Sequence, residues 1–514
     1  MNPRPSSWIL FSGLTLAGCI PRPEVKPNIV LILAEDMSTD LSCYGMPGVR
    51  TPNLDRLASE GVLYTNARSC CPVSSPTRSA MMTGVHQTVI GSHNHRSNAD
   101  KPLPEGILPF TSYLRGAGYE CVLGHEGCFE TTGFLAADVR SSRKIDCNFK
   151  YSPVGPYDGV EQFGLFDRLY EPAGDGPFFN QITLYVTHRA DHWKDIRSRS
   201  AHPVDPLSVE LPAYLADHPK IREEFACYLD QVEYMDSEVG MILEDLENKG
   251  VLDNTVIFFI GDNGRCDVRA KGYLYEDGTH IPMIVWKKGI RHAVVDDLVS
   301  ELDITASILH LAGLAVPSHF QGRVLTALGG PEGGHPFLYT AEDTFDETVD
   351  CVRAVHTDRY TYIRNYFPER PYDQHTLFFD FYRPALHIMR TLNREGGLTP
   401  AQAAFFQSSR PEEELYDYRT DRDCVHNLAG DAAYASALDS LRALMDGYQA
   451  EHRDLGLEDR FSRVDRPADE SPRFLRGFVR MKHPEGWAAI EAGEICDSYG
   501  RWREEFAAWK KNGR

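Results

Sequence analysis

The sequence predicts an α/β chain in which a large, mostly parallel sheet lies between layers of helices, followed by a smaller α+β subdomain built on an antiparallel sheet. Three observations predict it. The apolar runs at 28–34 (NIVLILA), 182–186 and 255–260 are continuous rather than alternating, and such runs belong to parallel strands buried on both faces. Between the second and third, residues 223–249 place Phe225, Tyr228, Leu229, Val232, Met235, Val239, Ile242 and Leu246 at helical spacing, with Gly250 as the stop. Helices alternating with apolar strands are the pattern of a crossover-connected parallel sheet. From about His335 the texture changes: 337–340, 351–356 and 360–364 read as short strands between turn residues, and a helical stretch follows at 433–452.

The size agrees with this division. At 514 residues the chain exceeds the length over which one hydrophobic core keeps growing, so more than one folded unit is expected. The boundaries read as a leader at 1–19, a Pro-rich linker at 20–27, the large α/β unit at 28–334, the antiparallel subdomain at 335–457, and a charged, aromatic extension at 458–514 with no readable periodicity. A formal charge of −21 excludes a broad basic face, and with it a nucleic-acid partner. An anionic ligand must therefore be held by a locally basic pocket. The 12 cysteines have scattered spacing and no Cys-x-x-Cys pair, which gives neither a disulfide framework nor a zinc site. At the N-terminus Arg4 precedes an apolar stretch at 8–17, too short to span a bilayer, that ends in Leu16-Ala17-Gly18-Cys19. This string looks like a bacterial lipoprotein box. Cleavage before Cys19, lipidation of that cysteine and a membrane-anchored location in the periplasm or on the cell surface are expected; a plain signal peptide is the alternative.

Each apolar run delivers polar residues at its carboxyl end: Glu35-Asp36 after the first, His188 after the second, Asp262-Asn263 after the third. In open α/β sheets ligands bind beyond those ends. Glu35, Asp36, Asp262 and Asn263 offer four oxygen donors from two strands, a donor set suited to one hard divalent cation. A further signal lies at 72–84, Pro-Val-Ser-Ser-Pro-Thr-Arg-Ser-Ala-Met-Met-Thr-Gly, where the hydroxyl residue Ser74 stands four positions before Arg78 with a Pro76-Thr77 step between. A helix expected over 77–83 would offer its N-terminal amides to an anion beside Ser74. Taken singly, the acidic pairs read as turns and Ser-x-Pro-Thr as a helix cap. Their coincidence reads as a site.

The Ser74 motif resembles that of the type I sulfatases, in which a cysteine or serine at this position ahead of the arginine is oxidised to formylglycine. Ser74 is in register, whereas Cys70 and Cys71 fall about one turn too early, so the resemblance is to the serine type. It extends through PNIVLILAEDMSTDLSCYG, TPNLDRLASEGVLYTNA, DNTVIFFIGDNG, RAKGYLYEDGTHIPMIVW and EEELYDYRTDRDCVHNLA, in the family's order, and covers roughly 27–450. It implies an alkaline-phosphatase-like sandwich, and Ca2+ bound by Glu35, Asp36, Asp262 and Asn263 with formylglycine 74 completing the shell. Glu35 is a longer arm than the aspartate common at that position. The His93-Asn94-His95-Arg96 cluster and the His426-Asn427-Leu428-Ala429 segment lean toward the heparan N-sulfatase-like branch.

The resemblance also implies a mechanism and its partners. A serine-competent maturase converts Ser74; the aldehyde, once hydrated, presents one hydroxyl that loses its proton to Asp262 and attacks sulfur, and a second that expels sulfate as the aldehyde re-forms. Arg78 anchors residue 74 and the calcium ligands. Lys271 matches the family's sulfate-binding lysine, and His188 a histidine at the sulfate or the leaving oxygen. The chain departs from the family at a third element, usually Gly-Lys-x-His some eight residues after a Gly-Tyr pair. Here Gly118-Tyr119 leads only to His125, while Lys144-Ile145-Asp146-Cys147-Asn148-Phe149 looks like the same element displaced by an insertion, so Lys144 and His125 compete for the position. His93, His95 and Arg96 are candidates for the sugar-side rim, with a polar surface loop as the alternative. The implied substrate is a sulfated carbohydrate of glycosaminoglycan type, O- or N-sulfated. The rival readings are a phosphonate or phosphodiester hydrolase, and a catalytically impaired glycan-binding lipoprotein with an unmatured serine.

Overall fold

The computed structural model describes residues 26–96, 101–128, 142–151, 164–189, 192–346, 348–374, 376–460, 472, 474–496 and 498–512. The expected leader and Cys19 lie outside the described residues. Nine strands form the large sheet: β1 (Asn28–Ala34), β2 (Val62–Arg68), β3 (Glu120–Leu123), β4 (Arg168–Leu169), β5 (Phe178–Leu184), β6 (Thr255–Gly261), β7 (His280–Lys287), β8 (Ala293–Val295) and β9 (Val299–Ser300). Their order is β4-β3-β5-β1-β6-β7-β2-β8, with β9 beside β2, and only β7 runs antiparallel to its neighbours.

The register places the site. β1 lies between β5 and β6, parallel to both, with Ala34 opposite Leu184 and Gly261. Three carboxyl ends are therefore level. The residues beyond them are tied by backbone bonds from Glu35 N to Leu184 O (3.1 Å), Asp262 N to Ala34 O (2.9 Å) and Met37 N to Asn263 O (2.7 Å). Alternate side chains of β1 enter different cores: Val30, Ile32 and Ala34 pack with Phe225, Leu229 and Val232 of the helix Pro219–Asn248, whereas Ile29, Leu31 and Leu33 join Ile304 and Ile308 of the helix Glu301–Leu311. Burial on both faces is why the run is uninterrupted.

The second sheet is β10 (Leu338–Glu342), β11 (Val352–His356), β12 (Tyr360–Asn365) and β13 (Glu413–Asp417), antiparallel throughout. The helix Ala435–Glu451 covers it with Leu438, Leu441 and Met445 against Tyr339, Val355, Tyr362 and Leu415.

Two elements differ from expectation in ways that bear on the site. The strand expected at 182–186 is β5 at Phe178–Leu184; the amides Asn180 and Gln181 hide its start from a hydropathy reading, yet both are buried in the sheet. The helix expected from residue 77 begins at Ser74 (Ser74–Thr83), because Pro76 falls in the first turn, where no intrahelical N–H bond is required. The C-terminal extension, unreadable in sequence, contains the helices Leu475–Lys482, Pro484–Glu491 and Tyr499–Lys511. Trp487, Tyr499 and Trp502 pack around Phe381 of the short helix Leu377–Tyr382. The described cysteines are all free, and no described helix is long and apolar enough to cross a membrane.

Candidate active site

Helix Ser74–Thr83 is buried along its whole length and aims its first turn at the level strand ends. Ser74 Oγ donates to Asn263 Oδ1 at 3.0 Å. One turn on, Arg78 Nε donates to Asp262 Oδ2 (2.9 Å), Nη1 to Thr183 Oγ1 (3.1 Å) and to the Lys144 carbonyl (3.3 Å), and Nη2 to Glu35 Oε1. Asp36 N donates to Asp262 Oδ1 (3.0 Å), and Asn263 Nδ2 to Asp36 Oδ1 (3.0 Å). Asp36 itself has φ 44°, a left-handed conformation costing a non-glycine residue about 1–3 kcal/mol and found where surrounding contacts impose it.

The next residue past Asn263 also has no latitude. Gly264 N donates to the Gly278 carbonyl at 2.9 Å, and a Cβ at Gly264 would lie 1.7 Å from the Asp277 carbonyl oxygen. Gly264→Ala must push backbone apart beside Asn263. A melting temperature lower by several degrees and a weakened response to divalent cation are expected in a thermal-shift titration; wild-type values for both would show that the backbone yields freely.

Two ammonium groups complete the pocket. Lys271 Nζ donates to both Asp36 oxygens (2.6 and 2.9 Å), and its loop is pinned to the Ser74 motif by Gly272 N donating to the Pro72 carbonyl at 3.0 Å. Lys144 Nζ donates to Glu35 Oε2. His188 Nε2 lies 3.9 Å from Asp36 Oδ2, and the ring stacks on Tyr185 at 4.8 Å; its buried Nδ1 has no hydrogen-bond partner among the described residues. Ligand atoms of Glu35, Asp36 and His188 lie within 4.8 Å of one another.

The electrostatics follow from burial and pairing. Burial pushes the Glu35 and Asp36 carboxyls up, but Lys144 and Arg78 outweigh it at Glu35, and Lys271 at Asp36, so both are held below the usual carboxylate range. At Asp262 burial and the Glu35 charge win over Arg78, raising its pKa to about 7. Burial depresses His188 to about 3, which keeps the imidazole neutral. Three carboxylates thus face three fixed cations, Arg78, Lys144 and Lys271, and the cluster is neutral with all three acids ionised.

The remaining expected residues divide. Arg96 makes a paired bond to Asp146 (Nε and Nη2, 2.9 Å each), and Asp146 Oδ2 is 3.6 Å from Lys144 Nζ. Burial works against that carboxylate, but Arg96 and Lys144 hold it below the ordinary range. His95 Nδ1 is 2.8 Å from Asp346 Oδ1. His93 is turned elsewhere, toward Asp459 at 3.2 Å. His125 is also not brought to the pocket: Ser142 Oγ donates to its carbonyl, and its ring faces Asp245 at 3.4 Å, lining a cavity of about 420 Å³ reached by Asn28 and Val30 of β1. Of the two competitors for the third cationic position, Lys144 joins the cluster and His125 does not.

Several contributors escaped the sequence. Thr183 supports Arg78 from inside an apolar strand, and Thr187 Oγ1 donates to the Glu35 carbonyl at 2.5 Å. The Phe378 ring stands 5.4 Å from Lys271 Nζ and 5.7 Å from the His188 ring. Asp146 sits in the same short string as Lys144 and was within reach of a reading by analogy; Asp346 and Phe378, far along the chain, gave no local signal.

The fold matches a solved 2-O GAG sulfatase with a TM-score of 0.58 at 19% identity, covering 87% of this chain and 96% of that one. It also matches the phosphonate monoester hydrolase of Agrobacterium radiobacter, with a TM-score of 0.56 at 17% identity, over 84% and 97%. At those identities the likeness is one of fold, and it defines the class as an alkaline-phosphatase-like α/β fold. The family model described as Sulfatase matches residues 27–314, and that of the N-sulphoglucosamine sulphohydrolase C-terminal region matches 261–382. An ulvan-active sulfatase of Formosa agariphila is 30% identical over 456 residues (82% of this chain, 74% of the relative). Human N-sulphoglucosamine sulphohydrolase is 25% identical over 488 residues (86% and 93%). The chain belongs to the sulfatase family, and with it to the sulfuric ester hydrolases. Members of this family generally use formylglycine and a divalent metal.

Proposed function

We propose that this protein hydrolyses the sulfate esters, or N-sulfate, of a glycosaminoglycan-type or related polysaccharide, with Ser74 matured to formylglycine and calcium held by Glu35, Asp36, Asp262 and Asn263. One observation carries the reading: a hydroxyl residue, an all-oxygen donor set and three fixed cations converge in a single buried cluster beyond the strand ends. The donor chemistry fits a hard cation. Charge supports it too, since a divalent ion added to the neutral cluster gives a net positive pocket in a chain of charge −21. The matched relatives, named for ulvan and N-sulphoglucosamine, support the carbohydrate class.

When present, calcium supplies fixed positive charge toward the sulfate oxygens, and the hydrated aldehyde supplies one hydroxyl to attack sulfur and another to release sulfate. The chain's own residues do the rest. Asp262, with a pKa near neutrality, accepts a proton at its carboxylate. Arg78 fixes Asp262 and Glu35 so that residue 74 meets a rigid wall. Lys271 and Lys144 keep N–H donors for sulfate oxygens, and neutral His188 offers an N–H to the leaving oxygen. Anchoring by a lipid on Cys19, at the periplasmic or outer surface, is proposed on the Leu16-Ala17-Gly18-Cys19 string.

Mass spectrometry of the peptide holding Ser74, from protein made in its native host, tests the reading. A loss of two hydrogens with aldehyde reactivity is expected, together with aryl sulfate turnover that Ser74→Ala removes. An intact serine in fully active enzyme would overturn it.

A further inference from the structure

Beside the pocket three non-glycine residues with left-handed backbone stand together: Arg96 (φ 49°), Asp146 (φ 50°) and Asp346 (φ 49°). They come from three separate segments, and strain of this kind gathers at functional sites. The paired Arg96–Asp146 bond and the His95–Asp346 bond hold them, and Arg96 also interacts electrostatically with Asp346. Two of them are open to solvent, the Arg96 side chain 56% exposed and that of Asp346 30%, whereas Asp146 lies beneath Arg96 with 10% of its side chain exposed. Lys144, 3.6 Å from Asp146, links them to the catalytic cluster. The rim continues through Phe345, whose ring is 5.1 Å from His95 and 5.1 Å from Phe379, to the neighbouring Phe378 beside Lys271 and His188.

We propose that Arg96, Asp146, Asp346 and Phe378 form the subsite for the pyranose ring that bears the scissile sulfate, gripping its free hydroxyls and rejecting a second anionic substituent on that ring. This rests on the sulfatase reading. Ionised carboxylates only accept hydrogen bonds and a guanidinium only donates, whereas a sugar hydroxyl does both and so satisfies each member of the Arg96–Asp146 pair. Phe378 offers an apolar face to the ring's C–H side. A second sulfate or a carboxylate has no proton to give Asp146 or Asp346, and it meets a rim in which two carboxylates outweigh the one Arg96 guanidinium, already paired with Asp146.

Binding to calcium-loaded Ser74→Ala protein, read by calorimetry, tests this without turnover. N-acetylglucosamine 6-sulfate or N-acetylgalactosamine 6-sulfate is expected to bind about tenfold or more tightly than glucosamine 2-N,6-O-disulfate. Asp346→Asn, a substitution compatible with left-handed backbone, is expected to close that gap about fivefold by strengthening the disulfate, and Arg96→Gln to weaken the monosulfates. Equal affinity for the singly and doubly sulfated sugars, or a gap that Asp346→Asn leaves unchanged, overturns the subsite. Failure of the sulfatase reading would register separately, as matured enzyme that hydrolyses no sulfate ester.

Discussion

Asp262→Ala is expected to lower kcat/KM on an aryl sulfate by about three orders of magnitude or more while the chain stays folded. In the proposed reading the carboxylate combines three tasks that no single neighbour combines: it would offer oxygen to a cation and take a proton, and it holds both Arg78 Nε at 2.9 Å and the strained Asp36 amide at 3.0 Å. Breaking a buried pair costs on the order of 3 kcal/mol when the partner is stranded. Arg78 is not stranded, because Glu35, Thr183 and the Lys144 carbonyl remain. Steady-state rates beside a circular dichroism spectrum separate loss of chemistry from loss of fold, and near-normal turnover in this variant refutes the site.

Chelation is expected to abolish activity, and returning calcium to raise the melting temperature more at about pH 8 than at about pH 5.5. The sign comes from Asp262. Its pKa in the metal-free fold is about 7, above the ordinary 3.8, so between those values the folded state binds more protons than the unfolded one. Stability contributed by that proton is full below the lower value and is lost as pH rises toward 7. Glu35 and Asp36 are held below the ordinary range, so their contribution is present at neutral pH and fades only in acid. Calcium must displace the Asp262 proton below pH 7 and need not above it. Thermal shifts with and without calcium, at several pH values, check this; a gain independent of pH would contradict the placement of Asp262 in the cation's shell.

What the sequence made legible was what local chemistry determines. β1 and β6 announce themselves because both faces are buried, and their terminal acids become neighbours wherever parallel strands lie level. Ser74 and Arg78 are one helical turn apart, so their shared direction follows from spacing alone. β5 starts earlier than hydropathy indicates because Asn180 and Gln181, though buried in the sheet, look polar in a sequence. The choice between Lys144 and His125 depended on how an insertion folds, and a single hydroxyl, Ser142, helps to turn the histidine away. Asp346 and Phe378 come from residues beyond the large sheet, where neither period nor motif points at a pocket built elsewhere.

A chain of aromatic rings ties the extension to the wall of the site. Tyr499 meets Tyr382 edge to face at 4.8 Å, and the Tyr382 ring is 5.1 Å from that of Phe378, beside Lys271 and His188. The prop for the ring beside Lys271 thus comes from the end of the chain, whereas Ser74, Arg78 and the strand-end residues Glu35, Asp36, Asp262 and Asn263 come from the large α/β unit. A nick or premature stop before Tyr499 would remove that prop from Tyr382 and Phe378 while sparing Ser74, Arg78 and the strand-end residues.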